Sequence, residues 1–215
     1  AAGRTDAGVH AVGQVASVTV PERWTAAALE RSLNAVLPAD IWAADVESVE
    51  AGFHALRSAT ARGYIYRVGT GPAARSPFRH RWCWPVHDGL DRGVLDRSAA
   101  VLLGEHSFRG YAKSGQPERG YRCDVQVCRW TEWSGGLELR IVADRFLHHM
   151  VRYLVGTMVD AARGRRPESD VADLLDPDRQ ALETSPPAPA EGLFLARVYY
   201  DEQPNPEGPE NEDLP

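Results

Sequence analysis

Apolar positions along this chain recur with a period of two in some stretches and of about 3.6 in others, and the alternation of the two periods predicts strands and helices in turn. Residues 14–20 read as a strand that stops at Pro21. Thr25 follows as an N-cap, Trp24 and Leu29 are placed for a hydrophobic staple, and Leu29, Leu33, Val36 and Leu37 keep helical spacing until Pro38. With a second strand over 41–49, this makes a strand-helix-strand unit of the kind that packs in two layers. Residues 62–68 alternate again, with Tyr64 and Tyr66 on one face and Ile65 and Arg67 on the other.

A loop rich in Gly, Pro and Arg is expected over 69–81, then a short strand in which Trp82 and Trp84 flank Cys83. A helix opens at Leu90-Asp91 and runs to about Leu103, a turn occupies 104–108, and 109–120 is a polar, mobile loop. Strands over 123–133 and 137–144 meet at Gly135-Gly136 as a hairpin. The strongest helical pattern covers 145–163. Phe146, Leu147, Met150, Val151, Leu154, Val155 and Met158 take one half of its surface, while Arg145, His149, Arg152 and Gly156 gather opposite as a thin basic stripe. A short helix over 168–175, a proline-rich link over 181–190 and a last strand over 191–198 complete the pattern, and 201–215 is disordered by composition. The order of elements hints at two related halves, an incomplete one over 1–85 and a second over 86–200.

Charge changes the picture only locally. Residues 201–215 carry six acids (Asp201, Glu202, Glu207, Glu210, Glu212, Asp213) and no base, which accounts for the whole net charge of −6 and leaves residues 1–200 neutral. Of the 24 bases, Lys113 is the only lysine. Arginine suits bidentate phosphate contacts and base stacking, so clusters of it remain compatible with RNA. No apolar run approaches the roughly 18 residues of a membrane span. Three cysteines, with no basic-then-apolar leader at Ala1-Ala2, point to a reducing compartment. Cys123 and Cys128 are five apart and would face opposite sides of a strand, so they do not pair there.

Candidate chemistry concentrates in residues 3–11. Gly3 and Gly8 permit a sharply bent loop that a ligand can approach closely. Arg4 and Asp6, two apart, point the same way if the segment is extended. A cation beside an acid favours its charged form, which suits a nucleophile better than a proton donor. His148 and His149 are adjacent, and on a helix adjacent residues do not share a face, so neither metal ligation nor a metal is expected.

The nine residues Gly3-Arg4-Thr5-Asp6-Ala7-Gly8-Val9-His10-Ala11 resemble, letter for letter, the G-R-T-D-A-G-V-H-A signature of the TruA family of tRNA pseudouridine synthases. The S-L-N-A-V-L-P-A-D-I run from Ser32, the Y-x-Y at Tyr64 and Tyr66, the G-x-x-x-F from Gly104, Phe146-Leu147-His148-His149-Met150-Val151-Arg152 and the A-E-G-L-x-L from Ala190 are similar to further segments of that family. Leu56-Arg57 departs from it, since A-R is usual there.

The resemblance implies an α+β protein with the pseudouridine synthase fold, two ferredoxin-like α/β halves whose antiparallel sheets meet at a central cleft. It implies that Asp6 is the catalytic residue and Arg152 its partner, that Tyr64 lies against the target base with Tyr66 behind it, and that Leu193 packs against that tyrosine and the uracil. Arg4 would fill the space the flipped nucleotide vacates. The implied substrate is uridine at positions 38–40 of the tRNA anticodon stem-loop. The reaction would use no cofactor, and the enzyme would be a cytoplasmic homodimer. The carboxylate could attack the sugar or the uracil ring, or take a ribose proton to give a glycal.

In that family a first strand, a helix and a Y-D-G-T-type motif precede the signature, so an unpaired edge of the first sheet is expected here. The alternatives are a truncated, inactive fragment that still binds tRNA and an arginine-rich protein-binding module.

Overall fold

The computed structural model describes residues 1–87, 89–113, 120–179, 181–201 and 204. Most of the polar loop and acidic tail expected from the sequence, residues 114–119 and 202–215 apart from 204, lie outside the described residues.

The elements in chain order are β1 (His10–Ala11), α1 (Ala26–Val36), β2 (Ala61–Gly69), β3 (Trp84–Pro85), α2 (Arg92–Ala100), β4 (Gly104–Ser107), β5 (Arg122–Trp133), β6 (Gly136–Ala143), α3 (Met150–Ala162), α4 (Asp170–Asp173) and β7 (Leu193–Tyr199). All strands join one sheet in the order β1-β7-β2-β6-β5-β4, with β3 paired to β2. Pairing is antiparallel except for β1 with β7 and β2 with β3. This is a mixed α/β architecture built on a single sheet.

Tyr66 and Val68 of β2 and Leu139 and Ile141 of β6 form one core with Leu95 and Ala99 of α2 and Leu154, Val155 and Met158 of α3. Each such large apolar side chain contributes about 1.5–3 kcal/mol when buried. The expected alternation in β2 is present, for Tyr66 enters this helix-covered core while Arg67 projects oppositely. There Arg67 pairs with Glu138 at 3.0 Å and lies 4.6 Å over the Trp133 ring. The Tyr66 hydroxyl donates to the Pro189 carbonyl at 2.8 Å, which satisfies a buried group and fixes the proline-rich link to the sheet.

The expected Thr25 cap forms, and the helix expected to open at Leu90-Asp91 is capped by Asp91. Thr25 accepts from the Ala28 amide and Asp91 from the Val94 amide, so two orphan donors are satisfied. The β5–β6 hairpin turns through Ser134 and Gly135, one residue earlier than expected, because Gly136 already pairs with Trp133 as the first residue of β6. Residues 104–107 are an edge strand rather than a turn, because their backbone pairs with Cys123 and its neighbours on β5. All three cysteines are free and buried, and burial pushes the thiols of Cys123 and Cys128 up to about 12.

Two expected strands do not form. Residues 14–20 and 41–49 lie outside the sheet, and a strand needs a hydrogen-bonding neighbour as well as an apolar pattern. Side chains hold the second stretch instead. The Asn34 amide exchanges two hydrogen bonds with the Ala43 backbone, and Glu30 accepts from the Val46 amide. No residue of α1 is buried, and Val36, Ile41 and Trp42 stay exposed. The 145–163 helix begins five residues late, at Met150.

The proline-rich link packs directly on α3. Ala188 donates its amide to the Arg152 carbonyl, and a methyl group added at Gly156 would collide with the Pro186 carbonyl oxygen. Gly156→Ala should therefore cost about 1–3 kcal/mol of overpacking. A urea titration reads this as a lower midpoint at unchanged slope, and an unchanged midpoint would show that the contact is not tight.

Candidate active site

The loop that carries Asp6 is tied down on both sides. The Val9 amide donates to the Asp6 carbonyl to close a tight turn, in which Gly8 has φ of 83°, a conformation open to glycine at little cost. Beyond it, His10 and Ala11 pair with Phe194 and Leu195 of β7, and the Val12 and Gly13 amides both donate to the Leu195 carbonyl. Before it, the Ala2 amide donates to the Val15 carbonyl and the Gln14 amide group donates to the Gly3 carbonyl. The His10 ring lies between Trp82 and Phe194, at 4.6 and 4.8 Å.

So anchored, the carboxylate of Asp6 meets the start of α3. Arg152 Nη1 donates to Oδ2 at 3.3 Å, His149 Nε2 stands 3.0 Å from Oδ2, and His148 Nε2 is 3.5 Å from Oδ1. Arg152 is itself fixed, since its Nε donates to the Ala188 carbonyl at 2.7 Å. One planar guanidinium thus spans the Asp6 loop and the proline-rich link, a geometry its rigid fork allows. The site is partly desolvated, with the Asp6 side chain 26% exposed and that of Arg152 16%.

The two histidines converge because the helix has not yet started. His149 precedes α3 with φ of 64°, a left-handed backbone that turns its ring toward that of His148, at a centroid distance of 4.1 Å. The helical reading put adjacent residues on different faces, and this one backbone conformation overturns it. Burial lowers the His149 pKa below its ordinary value, against the opposing pull of Asp6. Asp6, His148 and His149 offer three metal-ligating atoms within 4.8 Å of one another.

Tyr64 meets Phe146 edge-on at 5.0 Å and packs between the main core and a smaller cluster around Ala55 and Leu195. Burial raises the pKa of its hydroxyl, the Arg62 cation opposes this, and the charge of Asp6 adds to it. Arg62 is held by the carbonyls of Ala2, Leu56, Ala59 and Asp144, so the tyrosine has a fixed cation beside it. Tyr66 is buried behind, opposite Leu193 across the β2–β7 ladder.

Of the five residues singled out from sequence, Asp6 and Arg152 are in contact and Tyr64 is close enough to feel the acid's charge. Leu193 sits in the adjacent core. Arg4 is exposed and makes no ion pair with Asp6, contrary to the local expectation; Arg152, remote in sequence, takes that place. The sequence sets His149 on one stripe with Arg152 but gives neither histidine a place beside Asp6. The signal for them was present in their adjacency just before the apolar stripe, but it depends on a backbone turn that periodicity does not register.

A family profile described as tRNA pseudouridine synthase matches residues 99–201. The chain is 38% identical over 200 residues to the tRNA pseudouridine synthase A of Pelodictyon phaeoclathratiforme, covering 93% of this chain and 81% of that protein. Against the proteins of the same name from Geobacillus kaustophilus and Moorella thermoacetica the identities are 38% over 209 residues and 40% over 203. These cover 94% and 93% of this chain, and 78% and 80% of those proteins. No helix among the described residues is long and apolar enough to cross a membrane.

Proposed function

Because the chain belongs to the TruA family of tRNA pseudouridine synthases, isomerases that act on tRNA, we propose that it converts uridine to pseudouridine at positions 38–40 of the anticodon stem-loop with Asp6 as the catalytic residue. The observation that carries this reading is the contact between Asp6 in the signature loop and Arg152, 146 residues away, inside a half-closed site. That assembly favours an active enzyme over the binding-only alternative.

The reaction breaks the bond between N1 of uracil and C1′ of ribose and forms one between C5 and C1′; the C5 proton is lost and N1 gains one. Nothing is oxidised or reduced, so the chemistry calls for no cofactor. Each available route begins with an ionised carboxylate, which donates an electron pair to C1′ or to the ring as a nucleophile, or accepts the C2′ proton as a base. Arg152 offsets its charge while water is excluded. A stem nucleotide must first be flipped, at a cost of a few kcal/mol that stacking and phosphate contacts offset. Tyr64, braced by Phe146, is the ring assigned to the flipped uracil, Leu193 lines the floor behind it, and the exposed Arg4 is assigned to the gap left in the stem. Pairing of two chains as a homodimer, and the division into related halves near residue 85, belong to the same proposal.

Asp6→Asn keeps the shape of the side chain and removes its reactivity. Single-turnover pseudouridine formation should fall by at least about 10²–10⁴-fold with tRNA affinity nearly unchanged, and a mutant that turns over like the wild type would reject the assignment. Tyr64→Phe retains the ring and loses the hydroxyl near Asp6. It should bind tRNA normally and react more slowly; an unchanged rate constant would remove the hydroxyl from the mechanism.

A further inference from the structure

The Asp6, His148 and His149 cluster has a geometry that ion pairing alone does not demand. In a tetrahedral zinc site with bonds of about 2.0–2.1 Å, neighbouring ligand atoms stand about 3.4 Å apart. His148 Nε2 stands 3.5 Å from Oδ1 and His149 Nε2 3.0 Å from Oδ2, so each imidazole meets its own oxygen of the carboxylate, and one ligand atom from each of the three residues lies within 4.8 Å of the others. The imidazoles are brought together by a left-handed residue, a conformation unfavourable for a non-glycine side chain. The cluster also opens to solvent on one side, where the His148 side chain is 44% exposed, so an ion has a way in and a position left for water.

Arg152 opposes a cation but does not block one. It donates to Oδ2, the oxygen that His149 also meets, whereas His148 faces Oδ1. An ion held by His148 and Oδ1 leaves Oδ2 hydrogen-bonded to the guanidinium, the usual arrangement for a ligating carboxylate with an outer partner, and His149 joins it by turning its ring from Oδ2 toward Oδ1.

We propose that Asp6, His148 and His149 capture a single borderline-soft divalent transition ion of the zinc type, and that the captured ion stops the reaction by occupying the carboxylate the substrate needs. The binding half stands on geometry alone, and the inhibitory half rests on the catalytic role assigned to Asp6.

The full chain, freed of metal, is titrated with Co²⁺ while its visible absorption is followed, and with Zn²⁺ by calorimetry. One ion per chain is expected, with tetrahedral cobalt bands that zinc abolishes. His148→Ala and Asp6→Asn should each weaken binding at least about tenfold. His80→Ala, at a histidine outside the cluster, should leave it unchanged, and circular dichroism checks that each variant is folded. No stoichiometric binding, or equal affinity in His148→Ala, overturns the site. In parallel, stoichiometric Zn²⁺ should abolish pseudouridine formation and a chelator restore it. Zinc that binds without inhibiting overturns the blocking claim, whereas full activity in Asp6→Asn would instead sink the catalytic reading and leave the measured ion affinity standing.

Discussion

The arrangement depends on satisfying one carboxylate that is only a quarter exposed. Asp6 sits where water reaches it incompletely, so its charge requires partners from the protein, and a buried acid without them is costly. Arg152 and two histidines supply these, all from one short stretch at the start of α3. The same guanidinium bonds the Ala188 carbonyl, so the signature loop, the helix and the proline-rich link are fixed relative to each other through a single side chain. β7 completes the frame, since it emerges from that link and pairs with the strand that follows Asp6.

The left-handed conformation of His149 fits this picture. A helix begun at residue 145, as periodicity suggested, would send the two imidazoles to different sides and leave Asp6 with Arg152 alone. Delaying the helix to Met150 costs local strain and several helical hydrogen bonds. In exchange, both rings reach the acid, and the strain lies at the site rather than in the core, where strained backbone is commonly found in functional proteins.

Elements whose environment is set by near neighbours were legible in the sequence. The alternation of β2 is an example, as are the Thr25 cap, the start of α2 near Asp91 and, to within one residue, the tight turn between β5 and β6, because each depends on residues a few positions apart. Segments whose state depends on a distant partner were not. Residues 14–20 and 41–49 have strand-like patterns and no strand beside them, and the sheet order, with β2 lying between β6 and β7, is a matter of long-range pairing. The site divides the same way. Asp6, Arg152 and Tyr64 came from a resemblance that encodes three-dimensional information, whereas the expected Arg4 partnership, argued from spacing alone, gave way to a remote cation. The histidines escaped because the helix starts only at Met150 and His149, just before it, is left-handed.

A double-mutant cycle on pseudouridine formation tests most directly whether Asp6 and Arg152 act as one unit. If they do, Asp6→Asn combined with Arg152→Gln should react no more slowly than Asp6→Asn alone, so that the whole effect of the arginine appears as coupling. Losses that multiply, as for two independent sites, would contradict the account.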